Sequence, residues 1–359
     1  MLFVATTGKG SMDPYARLLA KHLAIPTLWT DIYEKDDFGV PLLSRFAARM
    51  AWEQLGFVRV LRGTRQPLHF PNQHFGRYGH FLSVPYIVTV HDLIRYFDLT
   101  SSDPLINRPD LRDRLYLRMD YAGIRKATAV IAISNTTRDD LVHHLRIPPQ
   151  RVFVTYQGID HSRFRKVERR LVDGPYILFV GNENPRKNLR TLLKAFRLLK
   201  KTSRFNDLKL VKVGAAGGVE APFRQRTLAD IAELGLGQDV IFTERVPDDD
   251  LPVYYSGAQC MVLPSLYEGF GFPPLEAMAC GCPVIVSNAG SLPEVVGDAA
   301  MVIDARDSEG LAGALLRVLT NDQLRLTLIN NGLRRAREFS WEQTAEDTLK
   351  VYRTLGLAE

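Results

Sequence analysis

Short apolar runs punctuate the chain, each followed by a polar, often glycine-containing loop and then by apolar residues at helical spacing. The runs fall at Leu2 to Ala5, Tyr86 to Val90, Ala129 to Ser134, Tyr176 to Gly181, from Lys209, at Cys260 to Leu263 and at Pro283 to Ser287. They are continuous rather than alternating, the pattern of strands buried on both faces of a parallel sheet. Helical spacing follows in Tyr15, Leu18, Leu19 and Leu23, in the segment after Asn188, and in Phe339 to Leu355. Repeated strand–loop–helix units, with no long all-β or all-α region, predict an α/β protein with mainly parallel sheets. Two Rossmann-like domains are expected, over 1–165 and 166–338, with a charged linker at 161–175. A final helix is expected over 339–359, anchored by Trp341 and Tyr352.

The stretch from Met261 to Ala300 is the centre of the second half. Strand Cys260 to Leu263 leads into a loop with Gly269 and Gly271, then a helix opened by Pro273 and Pro274 and closed at Gly281. Proline is tolerated in a first turn, whose N–H groups have no intrahelical partner, and glycine suits the residue after a helix. Glu268 is left in the loop and Glu276 is expected in the helix's first turn, both at the carboxyl end of a strand, where open α/β sheets bind ligands. Gly269 and Gly271 let backbone N–H groups approach a phosphate, and the helix N-terminus favours negative charge. A carboxylate there needs another partner, and a pair of sugar hydroxyls donating to it is one; complementing the helix dipole is the plainer role.

Other candidates lie at strand ends. The first strand is followed by Thr6-Thr7-Gly8-Lys9-Gly10-Ser11; Asp13 stands where a nicotinamide-binding fingerprint needs its third glycine. Gly181 and Asn182 open the loop NENPRK, whose Arg186 and Lys187 precede a helix, where dipole and charge both favour a diphosphate. His91-Asp92 ends the strand Tyr86 to Val90. His74 and His80, in the aromatic loop PNQHFGRYGHF, are candidate acceptor contacts. Asp248-Asp249-Asp250 reads as a helix cap rather than a metal site.

Composition narrows the class. The chain is long enough for two cores at 359 residues. No apolar run approaches the ~20 residues that span a bilayer, and MLFVATTGKG lacks the pattern of a secretion signal. Cys260, Cys280 and Cys282 lie within one α/β motif and read as buried thiols of a reducing cytoplasm. Lys and Arg outnumber Asp and Glu by 22 to 15 in residues 1–165 but not beyond, 24 to 25. That asymmetry points the first half toward something anionic. Residues 42–66 carry Leu43, Phe46, Met50, Leu55 and Val58 at helical spacing among Arg45, Arg49, Arg59, Arg62 and Arg65. They read either as a helix packed on the sheet with a solvated basic rim, which the pattern favours, or as a helix lying on anionic lipid. Nucleic-acid binding would need aromatic residues interleaved with basic patches, found nowhere outside 42–81.

Glu268 and Glu276 stand at the ends of an E-x7-E motif, and EGFGFPPLEAMACGCPVI resembles the family-4 retaining glycosyltransferases of the GT-B fold. The likeness is densest over 176–300 and looser over 84–160. It implies two Rossmann-like domains facing across a cleft, with the last helix crossing back onto the first. It places the donor ribose on Glu276, and the transferred sugar beside Glu268 and His91. The donor phosphates fall near Gly8, Gly10, Gly181, Gly269, Phe270, Gly271 and Lys187, and the nucleobase near Arg245 and Val246. Many members carry Arg where Asn182 stands, so Arg186 is expected to substitute. The implied activity is transfer of a hexose from a nucleoside diphosphate sugar to a glycan or lipid-linked acceptor, retaining and without a metal. The NPRKN loop resembles mannosyltransferases and suggests GDP-mannose. A cytoplasmic enzyme, peripheral at an anionic inner membrane face, is expected. A non-catalytic nucleotide-sugar-binding protein is the alternative.

Overall fold

The computed structural model describes residues 1–8, 12–30, 56–216 and 220–357. The chain divides into two compact units, one of residues 1–102, 108–158 and 341–359, the other of 103–107 and 159–340. The division thus falls at 158/159 rather than near 165. The charged segment expected as a linker is part of the second unit, where Arg163 pairs with Asp248 and Arg169 with Asp250. Asp248 and Asp250 of the acidic triplet are therefore taken up by arginines, and the helix that follows has no side-chain cap bond.

In the first unit, β1 (Leu2–Thr6), β2 (Thr27–Thr30), β3 (Leu68–Phe70), β4 (Tyr86–Val90), β5 (Ala129–Ala132) and β6 (Val152–Val154) form a six-stranded sheet in the order β2-β1-β3-β4-β5-β6. The pairings are parallel. Alternate residues feed opposite cores. Val4, Phe70, Val88 and Val130 pack on one face with Phe57, Leu61 and Tyr78. Phe3, Ala5, Ile87 and Ile131 pack on the other against the helices Asp13–Leu23 and Trp341–Thr354. The last helix therefore belongs to the first unit, with Trp341 and Tyr352 buried in that second layer. Of the basic segment 42–66, residues 42–55 lie outside the described residues. Its end, the helix Val58–Arg62, buries Val58 and Leu61 and leaves Arg59 and Arg62 exposed.

A buried polar chain ties the last helix to the sheet. The fully buried His69 ring meets the Tyr352 hydroxyl through Nδ1 at 2.6 Å and Thr89 Oγ1 through Nε2 at 2.8 Å. Burial lowers the ring to about 3, so it stays neutral. Replacing Tyr352 with Phe leaves Nδ1 unpaired in the core, at an expected cost of about 1–3 kcal/mol. Denaturant unfolding that gives equal stability for wild type and Tyr352→Phe would remove this role.

In the second unit, β7 (Tyr176–Val180), β8 (Lys209–Val213), β9 (Val240–Phe242), β10 (Cys260–Leu263), β11 (Val284–Ser287) and β12 (Met301–Ile303) are ordered β12-β11-β10-β7-β8-β9, again parallel. The chain runs outward from β7 to β9, then returns to pair β10 on β7's other side. That reversal opens a crevice at the carboxyl ends of β7 and β10, the position where such sheets bind ligands. In the first unit the corresponding reversal lies between β1 and β3.

Candidate active site

Two loops meet at the second unit's reversal. The loop after β7 folds into the turn Pro185–Lys187, and Asn188, at φ +55°, redirects the chain into the helix Leu189–Leu199. The Asn188 amide donates to the carbonyls of Pro264 at 2.9 Å and Ala305 at 2.6 Å, fastening this loop to those after β10 and β12. Deeper down, Glu183 pairs at 2.9 Å with Lys212 of β8, both side chains fully buried, and with Arg224 at 2.7 Å.

The loop after β10 carries Glu268 onto the cations of the first loop. Its carboxylate accepts from Lys187 Nζ at 2.7 Å, Arg186 Nη1 at 2.8 Å and Ser265 Oγ at 2.6 Å. Burial alone would raise this carboxyl. The charges of Lys187 and Arg186, with the hydrogen bonds from Lys187 and Ser265, outweigh it and hold the group at about 2. Burial lowers the Lys187 ammonium from its usual value, and the Glu268 carboxylate opposes that. The carboxylate and the two cations, expected to meet different parts of a ligand, are thus bonded to one another. The trio carries a net charge of about +1 rather than +2.

The helix Phe272–Ala279 starts a residue earlier than the prolines imply, so Glu276 lies in its second turn, not its first. It accepts from the Tyr255 hydroxyl at 2.7 Å. Burial raises this carboxyl to about 7, against the lowering effect of the Tyr255 hydrogen bond. Gly271 precedes the helix at φ +113°, a conformation closed to most residues. Phe270 packs its buried ring at 5.3 Å from Phe272 and 5.9 Å from Phe339, so its side chain faces the interior.

Asn182 turns its side chain back on its own loop, accepting from Asn184 N at 3.3 Å, while Gly181 adopts φ +157° beside the Lys187 side chain. Arg245 is exposed and Val246 half-buried on the loop after β9. In the first unit, the Gly8 carbonyl accepts from Arg17 at 2.9 Å, and Gly10 lies outside the described residues. His91 sits at the end of β4, buried, with Nε2 donating to the Pro71 carbonyl at 2.9 Å and Nδ1 3.3 Å from the Gln157 amide nitrogen. Burial lowers it to about 4, partly offset by the Pro71 carbonyl. Both ring nitrogens of His91 are therefore engaged inside its own unit, where a hydroxyl contact was expected. Asp92 caps the next turn, accepting from Ile94 N at 3.0 Å.

Several residues in this arrangement carry no local signal in the sequence. Tyr255 reaches Glu276 from 21 positions upstream. Ser291 donates to the carbonyls of Glu268 at 3.0 Å and Phe270 at 2.7 Å, clasping the loop between Gly290 and the helix. Ser265 carries a weak signal, a polar residue two positions after an apolar strand. Among the described residues, no group of His, Cys, Asp and Glu is arranged to hold a metal ion, and no helix is long and apolar enough to cross a membrane.

Two parallel six-stranded sheets, one in each unit, define a two-domain GT-B α/β fold. The chain belongs to the group 1 glycosyl transferases: residues 160–335 match the family described as Glycosyl transferases group 1, and residues 38–163 match Glycosyltransferase Family 4. The O-antigen chain mannosyltransferase B of Escherichia coli is 33% identical over 257 residues, covering 69% of this chain and 66% of that protein. The MMP alpha-(1->4)-mannosyltransferase of Mycolicibacterium hassiacum is 31% identical, covering 95% of this chain and 86% of that protein. Among solved structures, sucrose-phosphate synthase from Thermosynechococcus elongatus superposes with a TM-score of 0.77 at 23% identity, over 100% of both chains. Anabaena HepE, solved in complex with UDP and glucose, gives 0.76 at 18%, over 98% of both.

Proposed function

We propose that this glycosyltransferase moves a hexose, mannose from GDP-mannose, to an acceptor hydroxyl in glycan, glycolipid or polysaccharide synthesis, with retained anomeric configuration and without a metal. The observation that carries this reading is the cluster of Arg186, Lys187 and Glu268 at the second sheet's reversal. When the glycosidic bond breaks, negative charge grows on the departing diphosphate, and two fixed cations stabilise that change. The mannosyltransferase names of the two relatives support the sugar, and the nucleotide in HepE supports a nucleoside diphosphate donor. Glu276 is the ribose reader: an ionised carboxylate accepts from both hydroxyls of a diol, whereas a protonated one accepts less well. The excess basic charge of residues 1–165 supports an acceptor or membrane surface that is anionic, and peripheral attachment at the inner face.

The test is a thermal-shift and transfer panel of GDP-, UDP- and ADP-sugars, with and without magnesium. GDP-mannose is expected to raise Tm and to be consumed in both buffers; absence of any nucleotide effect overturns the proposal. The Glu276 carboxyl adds a pH signature. Because its pKa is raised to about 7, the ionised form forms only as pH rises through that value. Donor affinity is therefore expected to climb by up to about tenfold per pH unit below 7 and to level off above it. Glu276→Gln is expected to bind the donor more weakly and with no such slope; a slope retained in that variant removes the assignment.

A further inference from the structure

We infer that His74 is an acceptor-binding residue, presenting the lone pair of its Nε2 to a hydroxyl of a hexose acceptor. This inference rests on the proposed transfer to an acceptor hydroxyl. Its location is that of a ligand site: His74 lies on the loop that follows β3, at the first sheet's own reversal between β1 and β3. The neighbouring Gln73 holds the end of β4, accepting from His91 N at 2.7 Å and donating to the Asp92 carbonyl at 3.1 Å.

What distinguishes His74 from the other histidines of this edge is which nitrogen is free. His74 Nδ1 lies 3.1 Å from Asp120 Oδ2, and a carboxylate only accepts, so that nitrogen carries the proton. Asp120 is itself 1% exposed and immobile: Arg77 donates to Oδ1 at 2.7 Å and to Oδ2 at 2.8 Å, and the guanidinium lies 4.2 Å from the Tyr116 ring. The ring's orientation and tautomer are thus fixed from behind, as a second-layer carboxylate fixes a metal-binding or catalytic imidazole. Nε2 has no hydrogen-bond partner among the described residues, and the side chain is 29% exposed. His91, by contrast, has both nitrogens engaged, and His80 turns Nε2 to the Met119 carbonyl.

The chemistry of the ligand follows from the charges. Arg77 spends its fork on Asp120, so the pair offers no free cation to a phosphate or carboxylate. An outward lone pair on a held ring accepts a hydrogen bond, and a sugar hydroxyl supplies one.

The test uses the full chain with GDP-mannose as donor and methyl α-D-mannoside as acceptor probe. His74→Ala is expected to raise the acceptor KM at least tenfold, with kcat and the donor KM each within threefold of wild type. His74→Gln, whose side-chain oxygen reaches the position of Nε2, is expected to recover most of that loss. An unchanged acceptor KM in His74→Ala, or a loss confined to kcat, overturns the inference. Independently of turnover, 15N spectra of the histidine rings are expected to show His74 protonated at Nδ1 and its Nε2 signal displaced by methyl α-D-mannoside. A ring protonated at Nε2, or a signal indifferent to the probe at saturation, overturns it as well. If wild type neither binds nor consumes any nucleotide sugar, it is the transferase reading that has failed, and the ring spectra still decide the role of His74.

Discussion

Glu268→Gln is expected to lower stability and transfer while tightening the grip on a bare nucleoside diphosphate. In wild type the carboxylate lies between two cations at 2.7 and 2.8 Å, and Lys187 is buried with it. Removing one partner of a buried pair leaves an uncompensated charge, which costs about 3–5 kcal/mol. For a unit of this size that corresponds to a fall in Tm on the order of 10 °C. The same change frees Arg186 and Lys187 for a diphosphate that no longer competes with a fixed anion, so GDP affinity is expected to rise by about tenfold. Transfer is expected to fall by roughly a hundredfold or more, since the cations lose the hydrogen bonds that place them. A merely collapsed site would weaken binding and turnover together, and that outcome removes the assignment. The pH dependence of stability gives a second reading. The folded pKa of about 2 lies below the ordinary glutamate value of 4.5, so the carboxylate stabilises the fold above 4.5 and loses that contribution as pH falls toward 2. Glu268→Gln is expected to lack that part of the acid transition.

Much of this architecture is legible in the sequence because a strand buried on both faces leaves an uninterrupted apolar run. Tyr86–Val90 and Cys260–Leu263 were bounded as observed for that reason. Thr27–Thr30, Leu68–Phe70 and Met301–Ile303 carry too weak a signal, being three or four residues long and the first two partly polar. The helix after Gly271 was signalled by prolines and glycine, yet its start moved by one residue and took Glu276 into the second turn. At the site, residue types and strand-end positions were readable: Lys187, Arg186 and Glu268 stand at the ends of the two strands that flank the reversal. Their mutual pairing was not, because it joins residues 81 and 82 positions apart. Phe270 shows packing that its position among glycines does not signal: Phe272 and Phe339 give its ring an interior berth. Local chemistry identifies which groups arrive at an edge; packing between distant segments decides what each of them touches.

Gly290→Ala is expected to cost roughly a hundredfold in transfer although residue 290 carries no chemistry of its own. Gly290 adopts φ +58°, and a Cβ there would lie 2.5 Å from the Glu268 carbonyl oxygen and 2.7 Å from its nitrogen, both backbone atoms that cannot rotate away. The substitution therefore has two effects, strain of about 1–2 kcal/mol from a left-handed L-residue and displacement of the Glu268 backbone. Displacing a site residue by a fraction of an ångström to one ångström is enough for a loss of about a hundredfold. Gly235 separates the two effects. Its φ is also positive, +65°, but a Cβ there would meet nothing within 4 Å. Gly235→Ala is therefore expected to lose only the stability that a left-handed L-residue costs and to retain transfer within about threefold. Gly290→Ala is expected to lose more stability than that and nearly all of its transfer. If the two variants prove alike in both Tm and kcat/KM, the close approach at Gly290 has no part in placing Glu268.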